Sequence, residues 1–520
     1  MRLSTLLLFA FRFLLPPALI GTTYLYLYPI FQGCGFPNAK PSEAACLANG
    51  QPGQAGERAP FRLLALADPQ LEGDTSIHDT KWGSWSRITQ HLQTHEVQNL
   101  NWEELWRDLE SLLREDVPEA LQSYRKRLDL WGNDLYLAHV FRSMKWWTDP
   151  THIVVLGDLL GSQWIGDDEF WRRTERFWEV VYRGGRKVEQ EIMDTQSIRG
   201  EPLGSDKRWK NRIIAVAGNH DVGYAGDLDE NRVKRFEEAF GRVNWEVRFR
   251  LNETAKNGSK SAGLDSDLFA GSSPVLRLVV LNSMNLDEPA LHDELRQESL
   301  DFLERELHPA HLQKDVGTVL LTHIPLYKEA GICVDGPFFD YFGDHEGGGI
   351  KEQNHLSQQI SDRILNGIAG PEKQHKSIIL NGHDHAGCLS VHTYENATAT
   401  PPPEDSMSGG EERWRAREFS SLAFESTPGA FSGVREVTVR SQMGEFGGNA
   451  GLLSAWWDYD TREWKFEYDD CVCGVQHIWW AVHVVDLVVI ALGIGGLLAL
   501  VIEDLSKPPT VTMSSAKKTN

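Results

Sequence analysis

Five apolar runs in this sequence each end in residues able to hold a divalent cation or move a proton. FRLLALADPQ (61–70) ends in Asp68 and Gln70, and HIVVLGDLL (152–160) carries Gly157 and Asp158. RIIAVAGNHD (212–221) closes on Asn219, His220 and Asp221, TVLLTHIPLY (318–327) contains His323, and SIILNGHDH (377–385) supplies His383 and His385. Carboxylate, imidazole and amide oxygen are the donors from which Mg²⁺, Mn²⁺, iron and Zn²⁺ sites are built. His383 and His385 stand two apart, so where a strand runs out both rings can turn toward one point beyond it. With 18 histidines in 520 residues, one His-x-His pair is weak by itself. Four further strand ends with the same donor chemistry give it weight.

The elements that must position these residues are legible from the runs themselves. Each is short, rich in Leu, Ile and Val, and bounded by turn residues, as a buried strand is. Each places its polar group at the carboxyl end, where ligand sites lie in open α/β sheets. A sixth run, LRLVVLNSM (276–284), reads as a strand without a ligand. NWEELWRDLESLLREDV (101–117) and DEFWRRTERFWEVVYR (168–183) have helical spacing, and the Trp-rich face of the first reads as core. GDHEGGGIKEQNHLS (343–357) is a candidate substrate loop, because polar loops beside catalytic strand ends carry specificity. ATATPPPEDSMSGGEER (397–413) has the composition of a surface insertion. Residues 434–468 alternate like closing antiparallel strands, within a stretch placed at 414–470.

Read in order, the strand ends give Asp, Gly-Asp, Gly-Asn-His, His and Gly-His-x-His. That series resembles the calcineurin-like metallophosphoesterases, and the resemblance covers residues 61–390. It implies an α/β fold of two packed mixed β-sheets flanked by helices, with two divalent metal ions at one edge. Asp158 matches the family's bridging carboxylate. Asp68 and His385 would complete one metal, with Asn219, His323 and His383 completing the other. The family's nucleophile is a water-derived hydroxide, since metal binding brings the pKa of water toward neutrality. His220 matches the non-ligand histidine that stabilises the transition state or protonates the leaving oxygen. Asp221 has two readings, orienting His220 or capping a turn.

Two departures from the family pattern narrow the expectation. The first motif is usually Asp-x-His, and here DPQ puts Gln70 in the place of the imidazole. An amide oxygen is the harder ligand and shifts preference from Zn²⁺ toward Mn²⁺, unless Gln70 binds no metal. Phosphatases of monoesters also follow the bridging Gly-Asp with an Asp-Arg whose guanidinium holds the phosphate. The stretch GDLLGSQW has no Arg, so a singly charged phosphodiester suits the site better.

The net charge of −22 and the absence of any Lys/Arg run longer than three residues argue against a nucleic-acid partner. Both ends are membrane-like. Residues 1–31 read as an N-terminal transmembrane signal anchor, with a cleaved signal peptide as the rival reading, and residues 478–502 as a second span. Arg2 and Arg12 favour a cytosolic start, which makes residues 32–477 a lumenal domain and 503–520 a cytosolic tail. Asn252, Asn257 and Asn396 are glycosylation acceptors within the lumenal segment. Lys517 and Lys518 resemble the dilysine retrieval signal that coat machinery reads on endoplasmic-reticulum membrane proteins. Asp486, one turn after His483 inside the second span, is expected to pair with that His or with the first span. Four of the six cysteines, Cys34, Cys46, Cys471 and Cys473, sit near the ends and are candidates for bridging.

Two anchors and a dilysine tail resemble the branch of the family that remodels glycosylphosphatidylinositol (GPI) anchors. Membership implies removal of ethanolamine phosphate from a mannose of the anchor glycan, with GPI-anchored glycoproteins as substrates and Mn²⁺ as the metal. The DPQ and GDLLGSQW variants look like its fungal members. A non-catalytic cargo receptor for anchored proteins, and a lumenal phosphatase of another lipid or sugar phosphate, are the alternatives.

Overall fold

The computed structural model describes residues 2–39, 56–73, 102–194, 200–251, 273–308, 314–370, 375–395, 413–419 and 433–506. Asn252, Asn257, Asn396, Cys46, Lys517 and Lys518 lie outside these residues. The chain divides into two units, Gly33–Cys473 and the paired terminal segments Met1–Gln32 and Gly474–Asn520.

All six apolar runs of the larger unit are strands. Those that carry the motifs in the first half are β1 (Phe61–Leu66), β2 (His152–Leu156) and β3 (Arg212–Val216). They are followed by β4 (Trp245–Arg250), β5 (Val275–Val280) and β6 (Val316–Leu321). A small hairpin, β7 (Phe339–Tyr341) and β8 (Ile350–Gln353), precedes β9 (Ser377–Asn381) and β10 (Cys388–Glu395). The last four are β11 (Arg413–Glu418), β12 (Gly433–Thr438), β13 (Gly447–Asp458) and β14 (Glu463–Val475).

Apart from the β7–β8 hairpin, these strands form two mixed sheets. The first has the order β14–β13–β1–β2–β3, with the short strand Arg186–Lys187 at its edge. Strands β1, β2 and β3 are parallel, and β13 is antiparallel to β1. The second has the order β11–β10–β12–β9–β6–β5–β4, ending on Glu201–Pro202. Within it β5, β6, β9 and β12 are parallel, whereas β10 and β4 run against their neighbours. The 434–468 stretch is therefore divided. β12 joins the second sheet in parallel with β9, and only β13 and β14 close the first sheet.

The sheets pack face to face. Phe61, Leu63 and Ala65 of β1 meet Leu278, Val280, Val319, Leu321, Ile378 and Leu380 in one shared core. Leu64, Leu66, Ile153, Val155 and Ile213 point the other way and are equally buried. Burial on both faces is why these runs are continuously apolar rather than alternating. Each such Leu, Ile or Val contributes about 1.5–3 kcal/mol by leaving water.

The helix expected at 101–117 forms and continues. Trp102–Ser111 passes through a wider π-type turn, Leu112–Asp116, into Val117–Thr148. On the face expected to be core, Trp106 and Leu113 are exposed instead. Leu112 is buried, and farther on the helix buries Leu130, Tyr136, Leu137, Val140, Phe141 and Met144. The second predicted helix spans Asp167–Arg176 and a terminal π-type turn, Phe177–Val181. Of the candidate bridges among chain-end cysteines, Cys34–Cys471 forms and Cys473 stays reduced and buried. A second disulfide, Cys333–Cys388, was not expected from the spacing.

In the smaller unit, Leu3–Phe31 and Gln476–Leu505 are helices long and apolar enough to cross a membrane. They contact one another. Thr22 Oγ1 donates to Asp486 Oδ2 over 2.8 Å, so this carboxylate of the second apolar helix pairs with the first, while His483 bonds the Trp479 carbonyl of its own helix.

Candidate metal centre

Because β1, β2 and β3 are parallel within one sheet, as are β6 and β9 within the other, donors after each strand leave from matching ends. Asp68, Asp158, Asn219, His323 and His383 are brought together there. The approach is close enough to exclude side chains at the intervening turns. Gly157 (φ +86°) packs so near the His323 ring that a Cβ would overlap it. A Cβ on Gly218 would overlap Asp158. Seven described non-glycine residues have positive φ, and four of them are Asp68 (48°), Gln70 (41°), Asp158 (50°) and His383 (74°). Strain of this kind persists only where surrounding structure enforces it, and it concentrates at functional sites.

One group of ligand atoms gathers around Asn219. Asp158, His323 and His383 each offer an atom within 4.8 Å of the others. His323 Nδ1 bonds the Leu156 carbonyl at 2.7 Å, which leaves Nε2 as the inward atom of the neutral ring. That Nε2 lies 3.1 Å from Asn219 Oδ1 and 3.3 Å from Asp158 Oδ1. His383 is held the other way round. Its Nε2 bonds the Gln353 carbonyl at 2.9 Å, and its Nδ1 sits 3.1 Å from Asn219 Oδ1. Two imidazole lone pairs thus face two oxygen acceptors with no proton between them. A cation resolves that arrangement, and carboxylate, amide oxygen and two imidazoles are a fitting donor set for one.

The second group lies on the other oxygen of Asp158. Gln70 Nε2 is 3.1 Å from Asp158 Oδ2 and 3.2 Å from His385 Nε2. Asp68 stands behind, both its carboxylate oxygens accepting the His383 backbone N–H at 3.1 Å. Asp158 itself is held by the His220 backbone N–H, 2.9 Å from Oδ1. The two oxygens of one buried carboxylate therefore face two separate donor groups.

The electrostatics show what these charges cost without a cation. Burial lifts the Asp68 carboxyl to about 8, against the pull of His323 and with the help of Asp158. Burial also opposes charge on Asp158, yet His323 and the neighbouring histidines hold it well below the usual carboxylate range. His323 is driven up to about 9, because Asp158 and Asp68 outweigh its burial. A proton on His323 and a divalent cation are alternative answers to the same concentration of negative charge.

His220 sits at the rim. Its side chain is 36% exposed, with Nε2 3.8 Å from Asp158 Oδ2, while Nδ1 is buried without a hydrogen-bond partner. The exposed part of the ring is open to a bound substrate, whereas Nδ1 faces inward. Asp221 does not orient it. Its buried carboxylate accepts the N–H groups of Leu159, Leu160 and Gly218 at 2.9–3.1 Å, bracing the turn that carries Asp158. The turn reading of Asp221 is the correct one.

Several positioning groups were not visible in the sequence. Ser283, at the end of the ligand-free sixth run, accepts the backbone N–H of His323 and of Ile324. Glu436 is fully buried and binds Lys328, His392, Asn381 and the Leu326 N–H. It links the segment after His323 to the strand before His383. The carbonyls of Leu156 and Gln353, which set the two imidazole tautomers, leave no trace in residue type.

No family model matches the chain. Similarity to individual proteins is clear. Protein TED1 of Saccharomyces cerevisiae is 32% identical over 417 residues, covering 71% of this chain and 77% of the relative. An uncharacterized protein of Schizosaccharomyces pombe is 28% identical over 369 residues, covering 70% of this chain and 80% of its own length. Metallophosphoesterase 1 of Cricetulus griseus is 22% identical over 270 residues, covering 51% of this chain and 57% of the relative. With the strand order, the donor sequence and these relatives in agreement, the chain belongs to the calcineurin-like metallophosphoesterases.

Proposed function

We propose that this chain is a metal-dependent phosphodiesterase of the endoplasmic-reticulum lumen. It removes ethanolamine phosphate from a mannose of GPI anchors and so promotes the exit of anchored proteins. The observation that carries the proposal is Asp158, whose Oδ1 faces His323 and whose Oδ2 faces Gln70.

Asp158 would be shared by two divalent ions. Asn219, His323 and His383 would hold one, and Asp68 and His385 the other, with Gln70 joining if its amide turns its oxygen inward. Two such ions, Mn²⁺ by the hardness of this donor set, would neutralise phosphoryl oxygens and acidify the attacking water. The chain's own part is to hold phosphate in line and manage the leaving group. His220, at the rim and about one third exposed, delivers a proton to the departing mannose oxygen. The segment after Asp158 supplies no guanidinium: Leu159 and Leu160 use their N–H groups on Asp221, and Trp164 donates its indole N–H to Asp227. A site short of one cation suits a singly charged diester better than a dianionic monoester.

The two terminal apolar helices fit membrane anchorage. The lumenal placement of residues 32–477 and the cytosolic tail rest on Arg2, Arg12, the three sequons and Lys517–Lys518. Protease added to sealed microsomes should clip only the tails, and glycosidase should increase mobility. A protected carboxyl terminus would contradict both the orientation and the coat-machinery contact.

Mass spectrometry of anchor glycans tests the activity. Cells lacking the protein should retain ethanolamine phosphate on a mannose, wild type should restore its removal, and Asp158→Asn should not. A cargo receptor is the second reading, favoured by Gln70 directing its amide nitrogen at Asp158. It requires Asp158→Asn to restore export.

A further inference from the structure

The glycine-rich stretch at 343–349 proves to be the turn of the β7–β8 hairpin, which stands against the metal centre. Phe339 is paired directly with Gln353, whose carbonyl bonds His383 Nε2 at 2.9 Å. Paired residues in antiparallel strands lie about 4.5–5.5 Å apart and point to the same face. Phe339 is thus one strand spacing from the backbone that holds a candidate ligand. Tyr341 lies two residues on, opposite Ile350 across a bulge.

The hairpin has two unlike faces. The outer one carries the ion pair of Asp340 with Lys351, at 3.0 Å. The inner one carries Ile350 and Gln353, both buried, and with them Phe339 and Tyr341. Tyr341 is nevertheless 49% exposed. Tyr341 thus shares a face with two buried residues while its own ring stays accessible to a ligand. The Phe339 and Tyr341 rings are 16° from parallel with centroids 6.4 Å apart.

The hairpin is also fixed in place. The Ile350 N–H bonds the Pro289 carbonyl at 3.0 Å, and the Gly226 N–H bonds the Ile350 carbonyl at 2.8 Å. Gln353 Nε2 donates to Asp287 Oδ2 at 3.0 Å. Upstream, Cys333 is bonded to Cys388, three residues after His385. A platform so anchored loses little freedom on binding.

We infer that the inner face of this hairpin, through Phe339 and Tyr341, is a subsite for a pyranose ring esterified to the phosphate at the metal centre. The inference rests on the phosphodiesterase reading and specifies the alcohol half of the substrate. A sugar ring is neutral, and its C–H groups carry partial positive charge. It therefore stacks on the negative face of an aromatic ring, where a simple alkyl alcohol gains less. Gln353 holds the Nε2 side of His383 while Nδ1 faces Asn219, so one imidazole and one strand spacing separate Phe339 from the ligand atoms, a gap that a sugar ring on the phosphate can span.

Two measurements on the full-length protein in detergent test this. In saturation-transfer NMR, methyl α-mannoside should take up magnetisation from wild type and from Tyr341→Trp, and lose it with Tyr341→Ala and Phe339→Ala. No transfer in wild type, or equal transfer in all four proteins, would overturn the subsite whether or not the protein turns over. In kinetics, ethanolamine-phosphate diesters of methyl mannoside and of methanol are compared with Mn²⁺ present. Tyr341→Ala should raise KM for the sugar diester about 2- to 13-fold, the range of one aromatic contact, with kcat and the methanol diester unchanged. An equal loss on both diesters would assign Tyr341 a structural role. Sugar binding without hydrolysis of either diester would keep the subsite and contradict the phosphodiesterase.

Discussion

Gln70 donates its side-chain amide to Asp158, Nε2 lying 3.1 Å from Oδ2. The same nitrogen is 3.2 Å from His385 Nε2, so Gln70 stands between two candidate ligands where the family pattern has an imidazole. Substituting Gln70→His should tighten Zn²⁺ at this side of Asp158, by about tenfold or more, because imidazole is the softer donor. Competition with a chromogenic chelator reads the change. Unaltered Zn²⁺ affinity would mean that Gln70 is not a ligand position.

His220 should behave unlike the ligands. His220→Ala is expected to keep the wild-type metal content while kcat falls about 10²–10⁴-fold, as for loss of a general acid. Metal loss in this variant would make His220 a ligand, and unchanged kcat would remove it from proton transfer.

The strands and the donors that follow them were readable because both are local. A run buried on two faces is continuously apolar, and a donor at its carboxyl end is adjacent in sequence, as with Asp158 after β2 and His323 after β6. What assembles them is not local. Ser283, Glu436 and Gln353 act from 40, 110 and 30 residues away, through bonds to the His323 and Leu326 N–H groups and the His383 ring. The role of Asp221 was undecidable from its neighbour His220, since two of its three partners are N–H groups 61 and 62 positions back. The split of residues 434–468 between two sheets was hidden for a related reason. Alternation reports which face is buried, not which strand is the neighbour.

Glu436 supports this assembly with a buried charge pair. Lys328 Nζ lies 2.8 Å from its Oε2, and the two side chains are 1% and 0% exposed. Glu436→Gln leaves the ammonium buried without its counter-charge, which should destabilise the fold by about 3–5 kcal/mol. A lower denaturant midpoint at constant m-value is the expected result. A loss under about 1 kcal/mol would show that the pair contributes little net stability.

Acid sensitivity should have a source remote from the metal centre. His152 is buried among Phe61, Trp209 and Phe249. Burial, with Arg62 and Arg212 adding, depresses its pKa to about 3. The unfolded ring takes up its proton near pH 6.5, well before the folded one. Its contribution is therefore intact above about pH 6.5 and is lost toward pH 3, by up to about 1.4 kcal/mol per pH unit. His152→Phe should flatten the fall in stability between pH 7 and pH 4 in denaturant titrations. An unchanged slope would place the acid sensitivity elsewhere.

The most direct test of the central claim is Mn²⁺-dependent hydrolysis of a phosphodiester by the purified full-length protein, wild type beside Asp158→Asn. The substitution keeps the shape of the residue and removes the charge that faces both donor groups. Wild type should cleave the diester in preference to a monoester, lose that activity to chelator and regain it with Mn²⁺, while folded Asp158→Asn should show none. Equal activity in the two proteins, or a folded, Mn²⁺-loaded wild type that cleaves no diester, would contradict the account.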